Sequence, residues 1–135
     1  MGQSHIARRR ALARSSSLWT KSMPQRSGEH YCWGDGCEGW RLFDDGQLNV
    51  TQERMPPGTS EARHAHRLAG QYFYVLAGGL NIELPDRVVA LKPREGVYVS
   101  PTVAHRVANT GAVDAEFILV SRPSSRGDKI MLEGS

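Results

Sequence analysis

The chain has 135 residues, of which 39% are hydrophobic and 23% charged, and this length predicts one domain with a buried core. A mean hydropathy of -0.45 and the lack of an apolar stretch of about 20 residues exclude a helical membrane protein, so we expect a soluble chain with no membrane contact. The net charge of +3 comes from residues 1–28, which hold six basic and no acidic residues. Residues 29–135 hold eleven basic and fourteen acidic residues. This slightly acidic remainder argues against a groove that binds nucleic acid.

The first segment, residues 1–28, is rich in Arg and Ser. It has too few apolar residues for the hydrophobic part of a secretory signal peptide. We therefore predict a disordered basic leader and a cytoplasmic protein. An organellar transit segment and an anion-binding arm are the alternatives for this leader.

The two cysteines, Cys32 and Cys37, follow the leader with four residues between them. Structural zinc sites use pairs of cysteines separated by two residues, and the chain has no second pair. In a reducing compartment we expect both to be free thiols, with a disulfide or redox switch as the alternative.

From Glu29 onward, turn-forming residues recur every six to ten positions, a rhythm that predicts strands. Short runs with β-branched or aromatic residues lie between these turns. Eight such runs are predicted as strands: Leu48–Met55, Ala62–Arg67, Gln71–Leu76, Leu80–Leu84, Val88–Leu91, Val97–Val99, His105–Ala108 and Ala115–Val120. Their number and spacing favour an all-β sandwich or closed barrel.

Three of the five histidines lie in two of these short strands. His64 and His66 are two positions apart, so their side chains project from the same face of a strand. His105 lies in another strand. Two imidazoles on one face and a third from a facing strand are a typical arrangement for a divalent metal ion with open positions for water or substrate.

The spacing around the histidine pair resembles the first signature of the cupin superfamily, G-x5-H-x-H-x(3,4)-E-x6-G. Gly58, His64, His66, Gln71 and Gly78 stand at its five fixed positions, with Gln in place of Glu. The first motif thus covers residues 58–78.

A second stretch, residues 94–109, resembles the second cupin signature, G-x5-P-x-G-x2-H-x3-N. His105 and Asn109 match its His and Asn, whereas Arg94, Ser100 and Thr102 stand where the family has Gly, Pro and Gly. The resemblance implies a single-domain cupin, a double-stranded β-helix or jelly-roll barrel over residues 29–135 with extra N-terminal strands. It also implies a divalent metal bound by His64, His66 and His105.

Gln71 occupies the position that a carboxylate holds in many cupins. Three neutral imidazoles and a neutral amide leave a bound divalent ion with its full charge of about +2, which favours anionic ligands. We expect Gln71 to be a direct metal ligand; orienting a water and a purely structural hydrogen bond are the alternatives. The metal is expected to be Fe, Mn, Ni or Zn, and a degenerate cupin without metal is the competing interpretation.

Other polar and aromatic residues are candidates for the chemistry of the site. Glu53 and Arg54 are adjacent on one predicted strand, so only one faces inward, Glu53 as a general base or Arg54 as an anion clamp. Tyr98 is a second catalytic candidate if its hydroxyl reaches the cavity. Trp33 and Trp40 are predicted to pack at a sheet edge or dimer interface rather than against substrate.

These features together predict a metal-binding cupin that acts on or binds a small oxygen-rich molecule. The leading interpretation is a metal-dependent dioxygenase or isomerase, since three histidines without a carboxylate resemble the sites of cupin thiol and diketone dioxygenases. A non-catalytic binding or sensing protein is the alternative, and a structural protein with a dead site is the third. We expect a homodimer, paired through the tryptophan-bearing N-terminal strand.

Overall fold

The computed structural model describes residues 28–132. Apart from Gly28, the predicted leader lies outside the described residues. No helix occurs among the described residues, and so none of them forms a helix that could cross a membrane. The eleven strands are β1 Glu29–Trp33, β2 Cys37–Asp44, β3 Asn49–Met55, β4 His64–His66, β5 Gly70–Ala77, β6 Leu80–Glu83, β7 Val88–Leu91, β8 Gly96–Val99, β9 Arg106–Ala108, β10 Ala115–Arg122 and β11 Lys129–Met131.

The strands form three antiparallel sheets. A six-stranded sheet has the order β1-β2-β3-β10-β5-β8, a three-stranded sheet the order β7-β6-β9, and β4 pairs with β11. Consecutive strands often lie in different sheets, as in a jelly roll, and the expected all-β fold with extra N-terminal strands is confirmed.

The core lies between the six-stranded and three-stranded sheets. On β5 the alternation of side chains buries Phe73 and Val75 and leaves Tyr72 outside with 41% of its surface exposed. From the facing sheet, Ile82 of β6 and Val107 of β9 are buried in the same apolar cluster. The inner face of β5 therefore supplies both core side chains and, at Gln71, a polar group.

All eight strands predicted from turn spacing are present, with ends shifted by at most two residues. Turn spacing did not predict the bounds of β1 and β2 and did not indicate β11. The two cysteines are free thiols, Cys32 exposed and Cys37 buried in the core, as predicted.

Two departures from the second cupin signature have a structural consequence. Arg94 and Thr102 both have φ near 70°, in the left-handed region that favours glycine. The backbone at both places thus has the conformation that the glycines of the signature favour. A residue with a Cβ pays about 1–2 kcal/mol there.

We predict that Arg94→Gly stabilises the protein. Relief of the left-handed strain exceeds the extra entropy that glycine gives the unfolded chain, so the free energy of unfolding rises by about 0.5–1 kcal/mol. Denaturant unfolding followed by circular dichroism measures the change. Arg87→Gly is the matched control, because Arg87 lies in an exposed turn without a positive φ. Its free energy of unfolding should fall by about 0.5–1 kcal/mol, and a fall of that size in both variants would contradict the prediction.

Candidate metal centre

His64 and His66 lie at the two ends of β4, the three-residue strand whose residues are all buried. Their side chains project to the same side, as their spacing predicted, and their rings lie 4.9 Å apart between centroids. Only 2% of His64 and 4% of His66 is exposed, so these imidazoles are not the solvated pair of a surface strand.

His105 joins them through the backbone. The backbone N–H of His64 donates to the carbonyl of His105 at 3.0 Å, and that of His105 donates back to His64 at 2.8 Å. One possible ligand atom from each of the three histidines lies within 4.8 Å of the others. The structure therefore brings together the three histidines that the sequence selected.

Hydrogen bonds to carbonyls fix the tautomers of two of these rings. His64 Nδ1 lies 2.8 Å from the carbonyl of Ala62, and His105 Nδ1 lies 2.9 Å from that of Val103. Because a carbonyl only accepts, each Nδ1 must carry the proton, which leaves the lone pair on Nε2. Burial lowers the pKa of His64 to about 3 and of His66 to about 4, so both rings are neutral at pH 7.

Gln71 places its amide oxygen against the same cluster. Its Nε2 donates to Ser121 Oγ at 3.1 Å, and its Oε1 lies 3.2 Å from His105 Nε2. Since that nitrogen carries a lone pair, two acceptors face each other here, an arrangement that a shared cation would stabilise. In addition, both ring nitrogens of His66 are buried and lack a hydrogen-bond partner among the described residues.

Imidazole nitrogens and an amide oxygen that are all directed at one point form a donor set for a divalent metal ion. His64, His66, His105 and Gln71 together fit such an ion. Fe, Mn, Ni and Zn all accept these neutral ligands. The hydrogen bonds at the Nδ1 atoms and at the Gln71 amide hold the donors in place, as is usual around bound metals.

A cavity of about 530 Å³ opens in front of the cluster, lined by His64, His66 and Gln71. Apolar side chains, among them Phe73, Phe117 and Leu119, form one part of its wall. The cavity is within the size range of small-molecule sites.

β3 brings Glu53 into this cavity and turns Arg54 out. Arg54 makes ion pairs with Glu38 at 2.7 Å and Asp114 at 3.1 Å on the outside, while Glu53 lines the cavity. The alternation that the sequence left undecided thus selects the carboxylate rather than the anion clamp.

The hydroxyl of Tyr31 on β1 donates to Glu53 Oε2 at 2.5 Å. Burial and the neighbouring Glu53 raise the pKa of Tyr31, and burial raises the pKa of Glu53 above 4.5. Gly39 makes room for this pair, because a Cβ there would lie 2.2 Å from the Tyr31 ring. Sequence reasoning missed Tyr31, since β1 had no predicted bounds and hence no known face.

The other aromatic candidates lie elsewhere than expected. Tyr98 is 57% exposed on the outer face of β8, with its hydroxyl over Gly70, so the structure does not bring it to the cavity. Trp33 lines the cavity instead of packing only at an edge. Its indole N–H is buried without a hydrogen-bond partner among the described residues. Trp40 is buried, and its ring lies 5.3 Å from that of His30.

The family model for the cupin domain matches residues 51–121, which is more than half of the chain and includes all four residues of the candidate metal centre. The chain belongs to the cupin family. Curated relatives are similar over a shorter part: protein SchB of Streptomyces halstedii is 32% identical over 62 residues, 46% of this chain and 45% of SchB. The tetracenomycin polyketide synthase protein TcmJ of Streptomyces glaucescens is 29% identical over 69 residues, 51% of this chain and 46% of TcmJ.

The matched part thus spans less than half the length of these two relatives. Solved structures share the fold more completely. KdgF from Halomonas sp. has a TM-score of 0.72 at 16% identity over 79% of this chain and 98% of KdgF. The polyketide cyclase RemF from Streptomyces resistomycificus has a TM-score of 0.74 at 17% identity over 86% of this chain and 87% of RemF. At these identities the similarity establishes the fold.

The unpartnered ring of His66 predicts an unusual stability effect for this cupin. In metal-free protein, His66→Leu removes a buried polar group without a partner, so the free energy of unfolding should rise by about 1 kcal/mol. The measurement is chemical denaturation in the presence of a chelator.

His105→Leu is the matched control for this experiment. It leaves the partly buried carbonyl of Val103 without its donor and should lower the free energy of unfolding by about 1 kcal/mol. Equal losses of stability in both variants would show that His66 has a structural role.

Proposed function

We propose that this cupin is a metal-dependent enzyme that transfers a proton on a small oxygen-rich molecule, an isomerase-type reaction. The observation that carries the proposal is the Tyr31–Glu53 pair, which lines the same cavity as the histidine cluster. A carboxyl group with a raised pKa that lines the same cavity as a cluster that fits a metal is the combination that proton abstraction next to a carbonyl requires.

In this proposal His64, His66, His105 and Gln71 hold the divalent ion. When bound, such an ion supplies a Lewis acid that polarises a carbonyl or hydroxyl oxygen of the substrate. The four ligands are uncharged at neutral pH, so they leave the charge of the ion undiminished. Ser121 keeps the amide oxygen of Gln71 directed at the cluster by accepting from its NH₂ group.

Glu53 is the general base. Its carboxylate takes a proton from the carbon beside the polarised oxygen and returns it to another atom of the same molecule, so no outside reductant or oxidant is needed. The hydroxyl of Tyr31 donates to Oε2 and holds the carboxylate in one orientation. Phe73, Phe117 and Leu119 form the apolar side of the cavity, and the proton held by Glu53 exchanges with solvent before it is returned to the substrate.

The names of similar proteins support this reaction class. RemF is a polyketide cyclase, and a structure with a TM-score of 0.67 at 21% identity is that of a sugar phosphate isomerase of Silicibacter pomeroyi. Cyclisation and isomerisation both require proton transfer next to oxygen-bearing carbons. These names are supporting observations only, and the reaction proposed for this chain depends on its own Tyr31 and Glu53.

A dioxygenase is the second candidate, and the donor set favours it. His64, His66, His105 and Gln71 include no carboxylate, which leaves more positive charge for a chelating substrate. Glu53 has no assigned task in that reaction, and the proton-transfer proposal is therefore preferred.

We also keep the homodimer, the cytoplasmic location and the single domain over residues 29–135 as proposals. β1 lies at one edge of the six-stranded sheet, where β2 is its neighbour on one side and no strand of the described residues lies on the other. An edge strand is a ready surface for pairing with a second copy. This agrees with pairing through the N-terminal strand, although the side chain of Trp33 lines the cavity.

The proposal predicts that metal-loaded protein exchanges a carbon-bound proton of its substrate with solvent deuterium and that Glu53→Gln abolishes the exchange. Proton NMR in D₂O, with a panel of 2-oxo acids, hydroxyketones and sugar phosphates, measures it. The rate should rise with pH through a pKa above 4.5, because a base acts only when deprotonated and burial raises the pKa of Glu53.

Glu38→Gln is the control for this prediction, because Glu38 is paired with Arg54 outside the cavity. It should keep the exchange of the parent. Dioxygen uptake without exchange would replace the proposal by the dioxygenase. Binding of panel compounds with neither exchange nor uptake would make the protein a non-catalytic binder.

A further inference from the structure

Lys129 lies beside the histidine cluster, although no sequence motif indicated it. It begins β11 and is the register partner of His66 on β4. Directly paired residues of antiparallel strands project to the same side. The side chain of Lys129 accordingly lines the same cavity as His66.

The positive charge of the Lys129 ammonium affects the two carboxyl groups on the polar side of the cavity. Burial raises the pKa of Glu53 and raises that of Glu61 to about 8, and the positive charge of Lys129 opposes the rise in both. The ammonium thus lies within electrostatic reach of the general base and of the carboxyl next to His64. It occupies the part of the cavity in which the chemistry would occur.

The other cations of the cavity already have partners. Arg41 pairs with Glu29 and stacks on the ring of Tyr31. Arg126 lies 3.8 Å from Asp44. For Lys129, in contrast, no carboxylate of residues 28–132 lies within ion-pair distance. Among residues 28–132, Lys129 is thus the cation of this cavity that has no ion-pair partner and can bind a ligand.

The charges and shape of the cavity around Lys129 indicate the kind of ligand. One ammonium without an ion-pair partner supplies a single positive charge for an anionic group, and the neighbouring carboxyls of Glu53 and Glu61 repel a dianion such as phosphate more strongly than a monoanion. The apolar wall of Phe73, Phe117 and Leu119 accommodates a hydrocarbon or aromatic body. An organic acid with a monoanionic carboxylate and an apolar remainder satisfies both sides.

We propose that Lys129 binds the carboxylate of the substrate, and that the substrates of this cupin are small organic acids. The assignment rests on the proposed function for the location of the reacting site. Lys129 orients the molecule from the β11 side, with its apolar part against the phenylalanines and its oxygen-bearing carbon toward the histidines. Lys129 determines specificity and takes no part in the proton transfer.

Isothermal titration calorimetry with three probes of similar shape tests this inference: benzoate, the neutral benzamide and phenyl phosphate. The proteins are the parent, Lys129→Met and Lys92→Met, and their metal content is measured on the same samples. Lys92 is the matched control, since it lies in the exposed turn before β8. Lys129 is itself exposed, so its replacement by Met should leave the fold intact.

We expect the parent and Lys92→Met to prefer benzoate over the other two probes. Lys129→Met should lose about tenfold in benzoate affinity, the usual scale of one charge-assisted hydrogen bond, and keep its affinity for benzamide. Equal benzoate affinities in parent and Lys129→Met, a preference for phenyl phosphate, or a parent that binds no benzoate would each overturn the assignment.

Metal content separates this inference from the proposed function. If the metal is present and Lys129→Met binds benzoate as tightly as the parent, the assignment of Lys129 fails and the metal centre stands. If the parent holds no metal but binds benzoate through Lys129, the anion site stands and the metal-dependent reaction fails.

Discussion

Two backbone hydrogen bonds exchanged between His64 and His105 determine where the imidazoles of this cupin lie. They join β4 to the segment before β9, at 3.0 and 2.8 Å, and set the two rings 4.5 Å apart. His66 follows on the same face of β4. Because backbone groups make these contacts, the positions of the rings do not depend on a metal, and burial keeps the rings neutral and ready to bind one.

The region around the histidines also contains features that lower the free energy of unfolding. His66 is buried without a hydrogen-bond partner among the described residues, Thr102 is held at φ 70°, and the backbone N–H of Thr102 donates to the carbonyl of His66 at 2.6 Å. Unpartnered polar groups and left-handed side chains each cost free energy, and in folded proteins they cluster at functional sites. The proposed metal-binding role of this cluster accounts for their occurrence together here.

Much of the fold was predictable because local signals determine it. Turn residues and alternation located eight strands, and the spacing of His64, His66 and His105 selected the cluster. Tyr31 and Lys129 could not be found, because their relevance depends on the pairing of β1 with β2 and of β11 with β4. Strand pairing across so many residues leaves no local pattern in a single sequence.

Elemental analysis of untagged protein by plasma mass spectrometry, with His66→Leu and His30→Ala prepared identically, tests whether the histidine cluster binds a metal. We expect about one equivalent of Fe, Mn, Ni or Zn in the parent. His30→Ala should retain it, since His30 is exposed and its ring contacts Glu38 outside the cluster, and His66→Leu should lose it. A parent that holds no metal, even after incubation with each ion, or a His66→Leu variant with the metal content of the parent, would show that the cluster is not a metal centre.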